Sequence, residues 1–206
     1  MKVLRLNGSI HAQGNTRIAL KEREKELSSL GIESEIFQIG TKPVRDCLGC
    51  GQCKEEGCIF NDDVCNEFIQ KAKHSDGFVF ASPVYYAHPS GGILSLLDRA
   101  FYSCGKAFAF KPCASIAVAR RGGTSTTFDV LNKYATIANR FVVGSTYWNN
   151  VFGCRQGEAK EDREGLQTRR NLAKNRAYLL FCLKAGEKEG VEKPSLEREN
   201  RLNFIH

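Results

Sequence analysis

Four cysteines lie within twelve residues of the chain and share the spacing C-x2-C-x2-C-x4-C. They are Cys47, Cys50, Cys53 and Cys58. Thiols this close together cannot all form disulfides without strain, because a disulfide requires particular Cα separations and Cβ directions. Thiolates are also good ligands for soft metals. The segment therefore predicts metal or redox chemistry, and three interpretations are open: a [4Fe–4S] cluster, a structural zinc ion, or reduced thiols without a metal.

The spacing of these cysteines favours two of the three interpretations. Thiols at i, i+3 and i+6 with a fourth close behind can hold a cubane cluster from a single loop, whereas zinc sites usually join two separated pairs. We therefore expect either a cluster or metal-free thiols, with zinc the weakest alternative. The other five cysteines are scattered along the chain, and buried apolar thiols explain them best.

Three loops with unusual composition follow apolar segments that are typical of buried strands. Residues 7–16 combine glycines and hydroxyls ahead of a predicted helix, which suits a phosphate, although an ordinary capped turn is the alternative. Residues 82–92 place Tyr85 and Tyr86 between prolines, as a stiff border for a flat heterocycle would require. Residues 120–124 form a further glycine turn that carries two arginines.

The elements that must position these loops alternate between strand-like and helix-like segments, which predicts βαβ units. Predicted strands cover residues 3–6, 35–39, 77–81, 115–119 and 141–144. Predicted helices cover residues 15–30, 92–102, 128–138 and 162–183, and one more begins at Asp62-Asp63. We expect Ser82-Pro83 to end the third strand. This order predicts an α/β fold: a flavodoxin-like, doubly wound, five-stranded parallel sheet with helices on both faces.

The length of the chain predicts one domain, and the distribution of its apolar and basic residues argues against a secreted, membrane or nucleic-acid-binding protein. We assign residues 1–185 to the domain, with the cysteine-rich loop 46–60 inserted after the second strand, and residues 186–206 to a polar tail. No apolar run is long enough for a signal peptide or a membrane span, so we expect a cytoplasmic protein without membrane contact. The net charge is +7, but basic residues alternate with acids, as in residues 21–26, and nucleic-acid binding is not expected.

The ordered motifs resemble those of the flavodoxin-like NAD(P)H-dependent FMN reductases, close to the group of iron–sulfur flavoproteins. The resemblance covers nearly the whole chain up to about residue 183. The matching motifs are Asn7-Gly8-Ser9, Gly14-Asn15-Thr16, the cysteine spacing, Asp62-Asp63, Ser82-Pro83-Val84-Tyr85, Leu97-Asp98-Arg99, Arg120-Arg121-Gly122-Gly123, Gly144-Ser145 and Tyr147-Trp148-Asn149.

The resemblance implies FMN as the cofactor and assigns residues to it. The FMN phosphate would contact Ser9, Gly14, Asn15 and Thr16, together with His11, which stands where such proteins commonly carry arginine. The isoalloxazine would be lined by Pro83, Val84, Tyr85 and Tyr86, with Arg121, Gly122 and Gly123 at its other edge. The four cysteines of the motif would ligate a [4Fe–4S] cluster. No catalytic side chain is predicted, because the flavin performs the redox step.

The implied activity is that of an FMN-dependent oxidoreductase. Hydride would pass from NAD(P)H to FMN and on to a small acceptor: a quinone, a flavin, a nitro or azo compound, or oxygen. In the alternative, electrons from ferredoxin would reach FMN through a [4Fe–4S] cluster. A third possibility is a flavin- or metal-binding regulator without turnover. A homodimer or a dimer of dimers is also implied, since such flavin pockets are commonly completed at a subunit interface.

Overall fold

A computed structural model describes residues 1–22, 24–54, 56–197 and 199–200, without the side chains of residues 24–26. Its strands are β1 (Lys2–Asn7), β2 (Glu33–Gln38), β3 (Gly77–Tyr85), β4 (His88–Pro89), β5 (Pro112–Ala119), β6 (Phe141–Val142) and β7 (Asn150–Phe152). Its α-helices are α1 (Asn15–Lys21), α2 (Glu24–Ser29), α3 (Cys65–Lys73), α4 (Gly91–Cys104), α5 (Thr124–Ile137) and α6 (Arg163–Lys188). Short 3-10 helices cover Gly105–Phe108 and Glu158–Lys160.

Five parallel strands form the centre of the sheet in the order β2-β1-β3-β5-β6. This order confirms the predicted flavodoxin-like, doubly wound fold. Two short strands were not predicted: β4 pairs antiparallel with the end of β3, and β7 pairs parallel with the end of β5. Because the strands are parallel, the carboxyl ends of β1, β3 and β5 lie at one edge of the sheet, where ligands bind in folds of this kind.

Each face of the sheet is covered by its own apolar cluster. On one face, Leu4 and Phe80 pack with residues of α3 and α4. On the other face, Val3 and Val79 pack with residues of α1 and α6. The alternation of neighbouring strand residues between two clusters is expected for a strand that is buried on both sides. Helices therefore lie on both faces, as predicted.

Two predicted helix boundaries are wrong for reasons that involve distant residues. The helix expected at residues 15–30 is divided at Glu22, which follows α1 with a non-helical ψ of 125° and whose carboxylate pairs with Arg170 of α6 at 2.8 Å. Asp62 and Asp63 do not begin a helix, since α3 starts at Cys65. The Asp63 carboxylate instead pairs with Arg99 of α4, and it also accepts the Cys65 N–H.

The prediction that Ser82-Pro83 ends the third strand is also wrong, since β3 continues to Tyr85. Pro83 is aligned with Val118 of β5. β1 ends opposite Ala81, so only β5 flanks β3 at this point, and a strand tolerates proline where one side is free of a partner. The strand therefore carries Pro83 into the predicted flavin loop.

The last helix runs five residues beyond its predicted end and stops at Lys188. The described residues that follow it form neither helix nor strand. The division into a domain of residues 1–185 and a tail stays a prediction. Among the described residues, no helix is both long enough and apolar enough to cross a membrane.

Candidate functional site

The loop after β1 is held in shape by side chains at the ends of β1 and β2. The Asn7 Oδ1 atom accepts the Ser9 N–H at 3.1 Å, and the Ser9 Oγ atom accepts the His11 N–H at 3.1 Å. Gln38 joins the two strands, because its Nε2 donates to the Ser9 carbonyl at 2.5 Å and its Oε1 accepts from Asn7 at 2.7 Å. Sequence reasoning gave no role to Gln38, because its contacts lie thirty residues back along the chain.

This loop can accept a phosphate through its hydroxyls. Ser9 is buried and accepts a hydrogen bond from backbone, so its own hydroxyl proton is available for donation to an anion. Thr16 is also buried, in the first turn of α1. A Cβ added at Gly14 would lie 3.1 Å from the His11 Cβ, so the turn is tight. No acidic residue lies between positions 8 and 16 to repel a phosphate.

The Asn15 side chain makes three hydrogen bonds to the segment after β7, and its predicted phosphate contact stays a prediction. Its Oδ1 accepts the N–H groups of Gly157 and Ala159 at 3.0 and 3.3 Å, and its Nδ2 donates to the Arg155 carbonyl at 2.9 Å. The side chain therefore fastens the start of α1 to the segment after β7. His11 lies on the exposed side of the loop.

The end of β3 turns back through a two-residue hairpin into β4. Tyr86 and Ala87 form the turn with φ of 50° and 61°, values that non-glycine residues rarely adopt. Such conformations cost on the order of 1–3 kcal/mol each and persist where surrounding contacts hold them. Tyr85 and Tyr86 are both exposed, whereas Pro83 and Val84 are partly buried. The hairpin thus presents two tyrosines at the sheet edge.

Short contacts at this edge join the three loops that follow β1 (the first loop), β3 (the second loop) and β5 (the third loop). The Ser90 hydroxyl donates to the Gly8 carbonyl at 2.6 Å, and Gly8 N–H donates to the Ala81 carbonyl at 2.8 Å, which joins the first and second loops. Gly123 has φ of 88°, and a Cβ there would lie 2.6 Å from the Ala87 Cα. The third loop therefore packs directly against the hairpin, with Arg121 exposed beside it. The predicted flavin residues lie on one continuous rim.

The four cysteines of the motif line one pocket of the cysteine-rich loop, beside α4. Further residues lining this pocket are Asp46, Leu48, Phe60, Arg99 and Tyr102. Cys47 and Cys50 are exposed, whereas Cys53 and Cys58 are partly buried. Burial raises the pKa of the Cys53 thiol, and the nearby Cys58, Cys50 and Cys47 raise it further. The thiols are therefore close enough to influence one another electrostatically.

The cysteine pocket supplies four thiols, which are donors that both a [4Fe–4S] cluster and a structural zinc ion can use. Among the residues that the structure describes, no three His, Cys, Asp or Glu side chains are placed to hold one metal ion together. A zinc ion needs all its ligands around one atom, whereas a [4Fe–4S] cluster distributes four thiolates over its irons. Four thiols around one pocket are the donors that a [4Fe–4S] cluster would require.

The fold and the strand-end loops define a flavodoxin-like protein built to hold a flavin phosphate. The family described as NADPH-dependent FMN reductase matches residues 1–153, and the chain belongs to this family. FMN is therefore its cofactor, and the chain is an FMN-dependent oxidoreductase. The three loops that sequence reasoning assigned to FMN lie together at the edge where this fold binds its ligands.

Curated relatives add a more particular likeness over most of this chain. An iron–sulfur flavoprotein of Methanocaldococcus jannaschii is 34% identical over 193 residues, covering 89% of this chain and 100% of the relative. A second one from that organism is 30% identical over 206 residues, covering 90% of this chain and 100% of the relative. An iron–sulfur flavoprotein of Methanosarcina thermophila is 27% identical, covering 84% and 92%.

Solved structures support the fold. RosB, with a bound formylriboflavin phosphate intermediate, aligns with a TM-score of 0.64 at 14% identity, covering 100% of this chain and 97% of RosB. A flavodoxin from the domain Archaea aligns with a TM-score of 0.58 at 10% identity, covering 88% and 99%. At these identities the likeness concerns the arrangement of strands and helices.

Proposed function

We propose that the chain is an iron–sulfur flavoprotein that passes electrons from a one-electron donor of the ferredoxin class to FMN through a [4Fe–4S] cluster. The observation that supports this proposal is the convergence of Cys47, Cys50, Cys53 and Cys58 on one pocket. The curated relatives that carry the same description match the chain over most of its length. Both observations favour a cluster over metal-free thiols.

The residues divide into two groups with separate tasks. The cysteines hold the cluster, and the rim formed by the loops after β1, β3 and β5 holds FMN. When bound, the cluster supplies one-electron chemistry and FMN supplies two-electron chemistry. Ser9 and Thr16 bind the phosphate, while the hairpin at Tyr85 and Tyr86 and the turn at Gly123 orient the ring system.

The position of the cysteine pocket suits an external electron donor. Cys47 and Cys50 are exposed, and the apolar side chains of Leu48 and Tyr102 beside them are more than half exposed. A protein donor could therefore approach the cluster without any rearrangement of the core. The same exposed face is available to a second copy of this chain, which agrees with the dimer implied by the resemblance.

A cysteine variant tests the proposal. We expect Cys50→Ser, purified without oxygen, to lose most of its iron and acid-labile sulfide while it keeps FMN, because the flavin rim does not include the cysteine-rich loop. Cys182→Ser is the matched control, since Cys182 is also exposed but lies on α6. Equal iron in wild type and Cys50→Ser, or no iron in wild type, would contradict the proposal.

Direct reduction by NAD(P)H is the second candidate function. The family description names NADPH, and Arg120 and Arg121 are exposed beside the flavin rim, where cations could attract a nicotinamide nucleotide. In this route FMN would receive hydride and pass electrons to a quinone, a flavin, a nitro or azo compound, or oxygen.

The iron-free variant separates the two functions. If NAD(P)H is a physiological reductant, anaerobic addition of NADPH or NADH should bleach the flavin absorbance of Cys50→Ser as fast as that of wild type. If neither nucleotide bleaches the flavin, while a reduced ferredoxin reduces it in wild type and much more slowly in Cys50→Ser, the cluster route is the one in use.

A further inference from the structure

All three guanidinium nitrogens of Arg99, a residue of α4, donate hydrogen bonds to the cysteine-rich loop or to residues beside it. The side chain is 1% exposed. Its Nε donates to the Cys58 Sγ at 3.3 Å, and its Nη2 donates to the Phe60 carbonyl at 3.0 Å. Its Nη1 donates to the Asp63 carboxylate and to the Arg45 carbonyl, the latter at 3.3 Å. A single buried cation therefore contacts two residues of the cysteine-rich loop and two residues that flank it.

The three contacts other than Cys58 lie on both sides of the four cysteines along the chain. Arg45 precedes Cys47 by two residues, and Phe60 and Asp63 follow Cys58. The guanidinium thereby fixes both ends of the loop to a helix of the core. Its fork of N–H groups is planar and always charged, so the Nε–H that points at Cys58 keeps one direction.

We propose that Arg99 is a positioning residue that raises the reduction potential of the cluster held by Cys58 and its three neighbours. The inference rests on the proposed function. A cluster held by these cysteines would gain one negative charge on accepting an electron from a donor of the ferredoxin class, and no bond to a cysteine would break. A fixed cation and an N–H donor at a ligand sulfur stabilise that more negative form, and both raise the potential.

Two acidic side chains lie near the cysteines, and the positive charge of Arg99 offsets their effect on the potential. Asp46 lines the cysteine pocket and accepts a hydrogen bond from Ser95, and Asp63 is buried against Arg99. Two carboxylates near four thiolates disfavour the addition of a further negative charge. Arg45 points elsewhere, since its guanidinium pairs with Asp62 and lies 4.9 Å from the Phe60 ring centre. Arg99 is therefore the cation that donates directly to a ligand sulfur among the described contacts.

Redox titration of three variants tests the inference. We would measure the cluster potential of anaerobically purified holoprotein by electron paramagnetic resonance, with iron and sulfide determined on each sample. We expect Arg99→Gln, which loses the charge, to shift the potential to lower values. Arg99→Lys, which keeps the charge but loses the planar set of N–H donors, should shift the potential less. Arg45→Gln is the matched control and should leave it unchanged, because the Arg45 backbone carbonyl is retained.

The outcomes separate the inference from the function on which it rests. Unchanged potentials in both Arg99 variants, with full iron and sulfide, would overturn the role of Arg99 and leave the iron–sulfur proposal standing. Wild type without iron and sulfide would overturn both. If Arg99→Gln does not fold, Arg99→Lys decides the question alone, since a purely structural clamp would lower the melting temperature without moving the potential.

Discussion

At the scale of single residues, the ion pair between Asp63 and Arg99 is the most consequential polar contact. The two side chains are 4% and 1% exposed. Removing one partner of a buried pair leaves an uncompensated charge. We expect Asp63→Asn to lower the free energy of unfolding by roughly 3–5 kcal/mol, measured by urea unfolding of the metal-free protein.

Asp62 provides the control for this experiment, because it pairs with Arg45 at the surface. Exposed ion pairs contribute little to stability, so Asp62→Asn should change the unfolding curve only slightly. Equal losses in the two variants would show that burial of the pair with Arg99 does not matter. The neighbouring aspartates are indistinguishable in sequence, and only the fold assigns them different environments.

The cysteines also differ in reactivity. Burial raises the pKa of Cys65 to about 12 and also raises that of Cys113, so both thiols stay protonated near neutral pH. We expect iodoacetamide to label Cys154 and Cys182, which are exposed, and to leave the two buried thiols unmodified until the protein unfolds. Labelling of Cys65 as fast as Cys182, detected by peptide mass spectrometry, would contradict this.

At the scale of secondary-structure elements, hydrophobic pattern was enough to predict the five parallel strands, and their order in the sheet came from the structure. It was not enough where a distant side chain intervened. Asp63 and Glu22 were both assigned to helices from local sequence, yet each pairs with an arginine more than thirty residues away. The hairpin at Tyr86 was recognised as a loop, but its left-handed backbone depends on contacts that no local pattern specifies.

In the candidate site, too, the features set by local sequence were predictable, and those set by contacts between distant residues were not. The loops after β1, β3 and β5 were predictable from glycines, hydroxyls and aromatic residues at strand ends. Gln38 and Ser90 were given no role, since each matters only because two strands or loops become neighbours in the fold. Arg99 belonged to a recognised motif, but its contact with Cys58 could not be inferred without the position of α4.

The importance of the contact between the third loop and the hairpin for FMN binding can be tested by adding one methyl group at Gly123. Alanine at position 123 would place its Cβ 2.6 Å from the Ala87 Cα, at a backbone φ of 88°. We expect Gly123→Ala to weaken FMN binding by about fivefold to about a hundredfold, because strain of about 1–3 kcal/mol would displace the rim. Fluorescence titration of FMN with the apoprotein measures this.

Gly105→Ala is the control for the same titration. A Cβ at position 105 meets no atom within 4 Å, and the backbone there is right-handed helical. This variant should bind FMN like wild type. Equal affinities of Gly123→Ala and wild type would show that the packing of the third loop on the hairpin does not shape the flavin site.

At the scale of the whole molecule, the surface near the flavin rim suits an assembly of several copies. Tyr86 is fully exposed, and Tyr147 and Trp148 are more than half exposed with ring centres 5.3 Å apart. Exposed aromatic side chains are enriched at protein interfaces. We expect a homodimer or a dimer of dimers in analytical ultracentrifugation of FMN-loaded protein. A monomer at high concentration would contradict this expectation.

One sample can test whether the chain holds both FMN and a [4Fe–4S] cluster. We would purify the wild-type chain without oxygen and determine FMN, iron and acid-labile sulfide together with the absorption spectrum. We expect about one FMN and about four each of iron and sulfide per chain, with broad cluster absorbance beneath the flavin bands. A clean flavin spectrum with stoichiometric FMN and neither iron nor sulfide would contradict the cluster, and would leave Cys47, Cys50, Cys53 and Cys58 as free thiols.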